Sequence, residues 1–392
     1  MGIGYATSRR TERWLSILSF VLVGIAVLPP YTQHLSEIGH RGEPNRHFAL
    51  FATTLDGVLL RADGRPSWQR IWRAPVRPQD AGDVNPIWSL AAAADGHTLY
   101  AGAYNGAVWR SNDGGHHWRR TRGSLPADYD SIDAFAVSPT DANVAYAGAL
   151  DGLFETTDGG VQWHKLSAGQ DVLTVLGGDI SVITIDSRHP LSIWAGRSGE
   201  DGVGGLYHSN NGGRTWVRVR TRTGLPALTS INGITIVPTT GIIFVVSSNI
   251  VYRSRDGGAH WSRLTRGLPA PGVNLYLSFP PVLAVSPRSP NRVYVGLAAD
   301  TPRYDFGLYV TEDDGTTWSR SKGGLKPGEA ATQVVADPMD RMTAYIGTTN
   351  RVLRTTDGGK SWKPWQNATL SGALAGGFQI YYMVGMQVND IG

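Results

Sequence analysis

Six stretches of the chain share one pattern: SNDGGHHW (111–118), TTDGGVQW (156–163), SNNGGRTW (209–216), SRDGGAHW (254–261), TEDDGTTW (311–318) and TTDGGKSW (355–362). The common form is Ser/Thr-x-Asp-x-Gly-x-x-Trp, with acids Asp113, Asp158, Asp256, Asp313 and Asp357 and one amide, Asn211. The tryptophans are Trp118, Trp163, Trp216, Trp261, Trp318 and Trp362. Ahead of them stands RADGRPSW (61–68), a worn copy that keeps Asp63 and Trp68 but carries Arg61 for the hydroxyl and Arg65 for the glycine. The starts step by 50, 45, 53, 45, 57 and 44 residues.

A period of roughly 40–50 residues with strand-like content means propeller blades. Each unit repeats one grammar. In residues 131–166, SIDAFAVSP is a strand ended by a proline turn, NVAYAGA a second, DGLFETT a third, and VQWHKL a fourth beyond the DGG turn. Equivalent second strands are TLYAGA, SIWAG, IIFVVS, RVYVG and TAYIG. Small residues beside large apolar ones suit strands packed on both faces. Loops of Gly-Leu-Pro type (123–126, 224–226, 267–269, 323–327) carry the chain from the outer edge of one blade to the inner strand of the next. The expected fold is therefore all-β, a single seven-bladed propeller of four-stranded blades over residues 48–392. The first blade lacks a convincing inner strand, because EIGHRGEPNRH (37–47) is polar and irregular. Phe378–Val388 is expected to supply it and close the ring, which removes an open seam.

Composition agrees. Apolar residues make 41% and charged residues 17%, with 49 glycines, which suits a turn-rich β protein with a sizeable core. The net charge is +4, and residues 1–13 supply +2 of it, three arginines less Glu12. No basic stripe remains, so nucleic acid is not an expected partner. There are no cysteines, which excludes disulfides, thiolate metal sites and cysteine nucleophiles.

The amino terminus is organised for export. A basic n-region (1–13), expected in the cytoplasm, precedes an uncharged run from Trp14 to Leu28. Fifteen helical residues rise about 22 Å against a hydrocarbon core of about 30 Å. Pro29, Pro30 and Tyr31 extend the run to a marginal span. A signal-anchor helix over 14–31 fits the aromatic residues at both ends. A signal peptide cleaved near Gly24-Ile25-Ala26 is the alternative, with a secreted product. Residues 32–47 are a short linker, so an anchored, monomeric propeller would sit close to the bilayer on its extracytoplasmic side.

The repeated turns resemble Asp boxes, or BNR repeats, which occur in sialidases, sortilin-type receptors, xyloglucanases and photosystem II assembly factors. The resemblance covers residues 48–390 and speaks to fold more than to function. It places the turns on the blade periphery, away from the pore. There the acid can accept hydrogen bonds from backbone N–H groups of its own turn. Glycine allows the reversal, and tryptophan can fold beneath it. The acids are expected to be staples, a role that Asn211 can share because an amide still accepts hydrogen bonds.

Chemistry is expected at one mouth of the pore, on the loops between blades and between second and third strands. These carry Asp56, Asp80, Asp83, Asp128, Asp130, Asp133, Asp151, Asp171, Asp179, Glu200, Asp201, Asp300, Asp305 and Glu329. A glycosidase needs two carboxyls about 5–10 Å apart, and this set does not single out a pair. The sialidase resemblance implies an early Arg-Ile-Pro and a Tyr-Glu pair. Arg70-Ile71-Trp72 lacks the proline and follows a box tryptophan. The xyloglucanase resemblance includes ITIDSRHPLSIWAG (183–196) and implies two propellers with a cleft between them. Its glycine-rich first-blade signature is replaced by FALFATTLDGVLLRADG (48–64), where Asp56 is the nearest acid. No metal or cofactor is expected. His116 and His117 are adjacent in a tight turn, and the glycine-rich Arg197–Gly205 segment opens no helix. The expectation is a non-catalytic scaffold whose face binds a protein or glycan, with Arg197, Arg303, Tyr304, Trp72 and Trp88 as candidate contacts. The alternative is a glycoside hydrolase with a carboxylate pair at the pore mouth.

Overall fold

The computed structural model describes residues 48–53, 58–63, 69–75, 87–103, 105–121, 125, 131–166, 178–198, 204–219, 224–226, 230–247, 249–269, 282–297, 307–326, 331–348, 351–365 and 386–390. The expected anchor at 14–31, the linker at 32–47 and Trp68 lie outside them. Every regular element among them is a strand.

These strands form seven sheets, six of four strands and one of five. Sheet 3 shows the plan: Ile132–Val137, Ala145–Ala149, Gly152–Thr156 and His164–Lys165 follow one another as antiparallel neighbours. Sheet 2 runs from Ile87–Ala92 to Arg119–Arg120, sheet 4 from Ile180–Ile185 to Val217–Arg218, and sheet 5 from Gly233–Ile236 to Ser262–Leu264. Sheet 6 runs from Val282–Ser286 to Ser319–Arg320 and sheet 7 from Ala331–Ala336 to Ser361–Pro364. Sheet 7 gains a fifth strand, Lys322–Gly323, laid parallel on Ser361–Pro364.

Sheet 1 is assembled from both ends of the fold. Met386–Asp390 pairs antiparallel with Phe48–Thr53, which continues into Val58–Asp63 and Gln69–Arg73. Residues 378–385 of the expected closing strand lie outside the described residues. The first strand of each sheet lies beside the first strand of the next, from sheet 1 through sheet 7 and back to sheet 1. That arrangement is a β-propeller.

Burial follows the strand order. The inner strands IWSLAA and ATQVVA and the second strand AYAGA are buried at every residue, which is why they lack polar–apolar alternation. Outer strands are short, exposed and basic: Arg119–Arg120, His164–Lys165 and Ser319–Arg320. Cationic, two-residue edges discourage edge-to-edge pairing with other chains.

Apolar clusters lie between consecutive sheets rather than in one central mass. One joins sheets 2 and 3 around Tyr100, Phe135 and Trp163, and another joins sheets 5 and 6 around Phe244, Val285 and Trp318. The second-strand glycines make this packing possible. A Cβ built on Gly102 would come within 2.6 Å of Ile132 in the next sheet, and one on Gly148 within 2.4 Å of the Ile180 carbonyl. The Gly-Leu-Pro connections seal the outside, with Leu125, Leu225, Leu268 and Leu325 packed against the clusters. Gly267 (φ 85°) leaves no room for a side chain, since a Cβ there would lie 1.9 Å from the Trp318 carbonyl oxygen.

Candidate functional site

The strands alternate in direction, so each sheet offers two kinds of connection on two opposite faces. One face gathers the turns between first and second strands and those between third and fourth. The Gly159 N–H donates to Asn143 O at 2.9 Å, Gly212 to Leu191 O at 2.9 Å and Gly358 to Met342 O at 2.9 Å, tying the two turns of one sheet together.

Six third-to-fourth-strand turns share the hydroxyl, acid or amide, and glycine hydrogen bonds, and three of them, at Trp118, Trp216 and Trp261, add a tryptophan N–H to the turn's own glycine carbonyl. In the first, Ser111 Oγ donates to Asp113 Oδ1 at 2.8 Å, and Gly115 N–H donates to Ser111 Oγ at 2.9 Å. His117 N–H donates to Asp113 Oδ1 at 2.9 Å, and Trp118 Nε1 donates to Gly115 O at 2.8 Å. The hydroxyl–acid and N–H–acid bonds recur at Asp158, Asp256, Asp313 and Asp357. Asn211 makes the same pair, accepting from Ser209 Oγ at 3.0 Å and from Thr215 N–H at 2.9 Å. Asp63 ends its strand in the seventh copy.

These bonds hold the acids ionised. At Asp256 the His260 N–H leads, followed by the His260 ring and the Ser254 hydroxyl, and the pKa falls to about 2. At Asp113 burial alone would raise the pKa, but hydrogen bonds from His117 and Ser111 together outweigh it and hold the carboxyl well below its usual range. A carboxyl whose acceptor sites are filled by its own turn, and which stays ionised to low pH, is poorly suited to carry a proton at neutral pH.

Neighbouring sheets are clasped on the same face. Tyr100 Oη donates to Ala142 O at 2.8 Å, Tyr146 Oη to Gly212 O at 3.1 Å, and Arg110 Nη1 to Gly159 O at 3.1 Å. Burial leads the perturbation of Tyr100 and pushes its hydroxyl up to about 12.

The opposite face carries the second-to-third-strand loops and the links between sheets. Three of the fourteen candidate carboxyls fall on described residues. Asp151 sits in an exposed loop and is ion-paired to Lys165 Nζ at 2.7 Å. Asp133 and Asp179 stand at the entry of the inner strands of sheets 3 and 4, which lie side by side. Asp133 occupies a register shift between Ile132 and Ala134, and Ser181 sits in the equivalent shift of sheet 4. A bulge re-aims the side chain it contains and recurs beside functional sites.

Around this pair the backbone is tightly tied. Ser198 N–H donates to Asp179 O at 2.9 Å, and Ile231 N–H donates to Arg197 O at 3.3 Å. Ser181 Oγ donates to Ile231 O at 2.9 Å, linking the entries of sheets 4 and 5. The half-buried polar residues of this corner are Asp133, Asp179, Ser230 and Asn232.

The candidate binding contacts are placed differently from the expectation. Trp88 is 4% exposed, within an inner strand. Trp72 is half-buried, stacked on Trp118 with centroids 4.8 Å apart and edge-on to Trp109 at 5.3 Å. Trp72 is thus packed against the indoles of the next sheet, and Trp88 is enclosed within its strand. Arg197 is 3% exposed and lies behind the entry of sheet 4 rather than on a surface. Arg303 and Tyr304 lie outside the described residues, as do eleven of the carboxyls: Asp56, Asp80, Asp83, Asp128, Asp130, Asp171, Glu200, Asp201, Asp300, Asp305 and Glu329. Among the described residues no cluster of His, Asp and Glu is arranged to hold a metal ion.

No family model matches the chain. Three curated proteins do. A xyloglucanase of Hypocrea jecorina is 26% identical over 325 residues, covering 70% of this chain and 37% of its own length. A probable oligoxyloglucan-reducing end-specific xyloglucanase of Neosartorya fischeri is 24% identical, covering 63% of this chain and 31% of its own length. A Paenibacillus xyloglucanase is 27% identical, covering 55% and 23%. The chain thus spans roughly a quarter to a third of these relatives. Among solved structures, a GH74 xyloglucanase from Xanthomonas campestris superposes with a TM-score of 0.67 at 18% identity, covering 87% of this chain and 54% of that one. An ancestral GH74 enzyme gives 0.55 at 20%, covering 76% and 38%. YCF48 bound to D1 peptide gives 0.50 at 14%, covering 76% and 91%. The structural likenesses bear on fold alone. The curated relatives correct the expectation of a non-catalytic scaffold, because all three are xyloglucanases. Missing enzyme signatures were a poor guide where identity is this low.

Proposed function

We propose that the chain is a glycoside hydrolase of β-propeller fold, acting on xyloglucan or a related β-glucan. One observation carries the reading: the curated relatives, aligned over 55–70% of this chain, are all xyloglucanases. The ring is read as seven-bladed, its repeated turns as Asp boxes, and the box carboxylates as structural. Export, by anchor or cleaved signal, suits a polysaccharide substrate.

The loop face is the place for chemistry. Asp133 and Asp179 enter neighbouring inner strands there, half-buried and outside the turn motif. In the proposed reaction one carboxylic acid protonates the glycosidic oxygen as its bond to the anomeric carbon breaks. The other carboxylate takes a proton from the attacking water, and the products are a new reducing end and a free hydroxyl. Ser230 and Asn232 offer hydrogen-bonding groups beside the pair.

The test is hydrolysis of xyloglucan by the purified protein, read as new reducing ends. Turnover that falls by about 10²–10⁴ in Asp133→Asn or Asp179→Asn supports the reading. A folded protein with no turnover on xyloglucan or other β-glucans contradicts it.

A further inference from the structure

The third strand of sheet 4, Gly205–Ser209, sets His208 opposite Trp194 of the second strand, Ile193–Arg197. The imidazole lies flat on the indole, with centroids 3.9 Å apart and planes 15° apart. Its Nε2 is hydrogen-bonded to Ser192 Oγ at 2.9 Å. Trp194 is 2% exposed and carries the contact onward to sheet 5. It meets Trp261 edge-on at 6.2 Å and lies on Gly258, where a built Cβ would run into the ring. The seam between sheets 4 and 5 is thus crossed by an indole that rests on a titratable ring.

The equivalent pairs cross other seams differently. In sheet 2 Tyr100 faces Arg110, and both donate to carbonyls of sheet 3, Ala142 O at 2.8 Å and Gly159 O at 3.1 Å. In sheet 3 Tyr146, opposite Glu155, donates to Gly212 O of sheet 4 at 3.1 Å. In sheet 5 Arg253, opposite Phe244, donates to Asp314 O of sheet 6. Tyrosine and arginine keep their protons from acid to neutral pH, so those clasps do not change. Histidine changes its charge within that range.

Charging His208 is opposed by burial, which leads the perturbation and takes its pKa down to about 4 against the pull of Asp186. Asp186, in the first-to-second-strand turn, is already committed: Arg188 Nη2 donates to it at 2.9 Å, and His189 Nδ1 lies at 3.2 Å. Elsewhere in sheet 4, Asp179 stands at the loop-face end, Arg218 donates to Gly204 O, and Arg214 lies toward Tyr146 of sheet 3. Sheet 5 brings Tyr252, whose burial holds its proton, with Arg263 opposite it on the outer strand. Its turn brings Arg255, paired with Asp314, and Asp256, filled by Ser254 and His260. The strands Gly233–Ile236 and Ile243–Ser247 bring no ionisable side chain. The indole face offsets part of the penalty on a cation, but both nearby carboxylates, Asp186 and Asp256, already have partners.

We propose that the seam between sheets 4 and 5 is an acid-operated latch: the neutral His208 ring seats Trp194 against sheet 5, and protonation drives the ring out of the stack and frees the turn-face side of the seam. On the loop face Ser181 Oγ and Arg197 O still tie sheet 4 to Ile231, so the opening is local. The open seam, where the ring meets water, binds the proton more tightly than the closed one. Closure is therefore fully favoured above the ordinary histidine value near 6.5 and loses ground as pH falls from there to about 4. Across that window the opening equilibrium rises by up to about 300-fold. The latch stands apart from the hydrolase reading.

The experiment is hydrogen exchange of the folded protein at neutral pH and in mild acid, read by mass spectrometry and corrected for intrinsic exchange rates. An imidazole NMR titration accompanies it, with His208→Phe assigning the His208 resonance. Protection in residues 193–209 and 250–261 should fall by at least about tenfold between about pH 7 and pH 4.5. Residues 99–111 and 145–156, at the seam of sheets 2 and 3, should keep theirs. His208 should titrate well below the ordinary histidine value. His208→Phe keeps a ring on Trp194 but takes no proton, and it should abolish the acid loss. His208→Gln makes the same test without the larger ring. A His208 ring that titrates normally in the folded protein overturns the proposal. So does protection that changes equally at the two seams or not at all, or an acid loss that persists in both variants.

Discussion

The two faces of this propeller are built on opposite principles. On the turn face the six described third-to-fourth-strand reversals share a hydroxyl, a glycine and a tryptophan around an acid, or in one copy the amide Asn211, whose acceptor oxygen is filled from within the turn. On the loop face no two described entries carry the same residue at the equivalent place: Trp88, Asp133, Ser181 and Thr332 all occupy the inner-strand register shift. Repetition marks what the fold needs in sheet after sheet. Variation marks what it needs once. A carboxylate on the first face is bound into its own turn, and the proposed chemistry is drawn from the second.

The sharpest way to break this comparison is to remove a repeated element. Trp163 is fully buried, its Nε1 donating to Thr121 Oγ1 at 3.2 Å across two sheets. Trp163→Ala should cost about 3–5 kcal/mol in denaturant unfolding. A loss below about 1 kcal/mol would show that the clusters between sheets are not what holds the ring together.

A matched pair of glycines sharpens the point. Gly257 (φ 67°) has nothing within 4 Å of a built Cβ, whereas at Gly267 the Trp318 carbonyl oxygen blocks it. Gly257→Ala should lose about 1 kcal/mol, the cost of a left-handed non-glycine residue. Gly267→Ala should lose more than Gly257→Ala by at least about 1 kcal/mol, because the connection must also shift. Equal losses in chemical denaturation would mean that the Gly-Leu-Pro seal is not tight.

The smallest effect is acidic. Asp256 has its pKa lowered to about 2 by the His260 N–H, the His260 ring and the Ser254 hydroxyl. A depressed carboxylate contributes stability above its unfolded pKa, near 4, that is lost as pH falls through its folded pKa. Melting temperature should therefore fall between about pH 4 and pH 2, and Asp256→Asn should flatten that slope slightly while leaving neutral-pH melting nearly unchanged. An unaltered slope would remove this turn from the acid response.

Sequence was most legible where the physics repeats. The turn residues and their spacing announce strands, turns and a ring because each turn must solve the same backbone problem. The second-strand glycines were visible too, in TLYAGA, NVAYAGA and RVYVG, yet their purpose appears only once Ile132 and Ile180 are seen filling the space beside them. Trp72 and Trp88, which flank inter-sheet links, left packing and ligand contact both open from sequence, because burial there depends on neighbouring sheets distant in sequence. Arg197 was singled out as a contact, yet it is buried, its guanidinium against Gly178 nineteen positions earlier, which no local pattern marks. Asp133 and Asp179 were two acids among many, since only the folded ring brings their strands side by side.

The most direct test of the division between faces is a four-variant comparison on xyloglucan: Asp133→Asn and Asp179→Asn on the loop face, Asp113→Asn and Asp357→Asn on the turn face. Turnover should collapse in the first two at nearly unchanged melting temperature. In the second two it should persist, with any change confined to stability. The reverse outcome, activity lost from the turn face and kept on the loop face, would contradict the account.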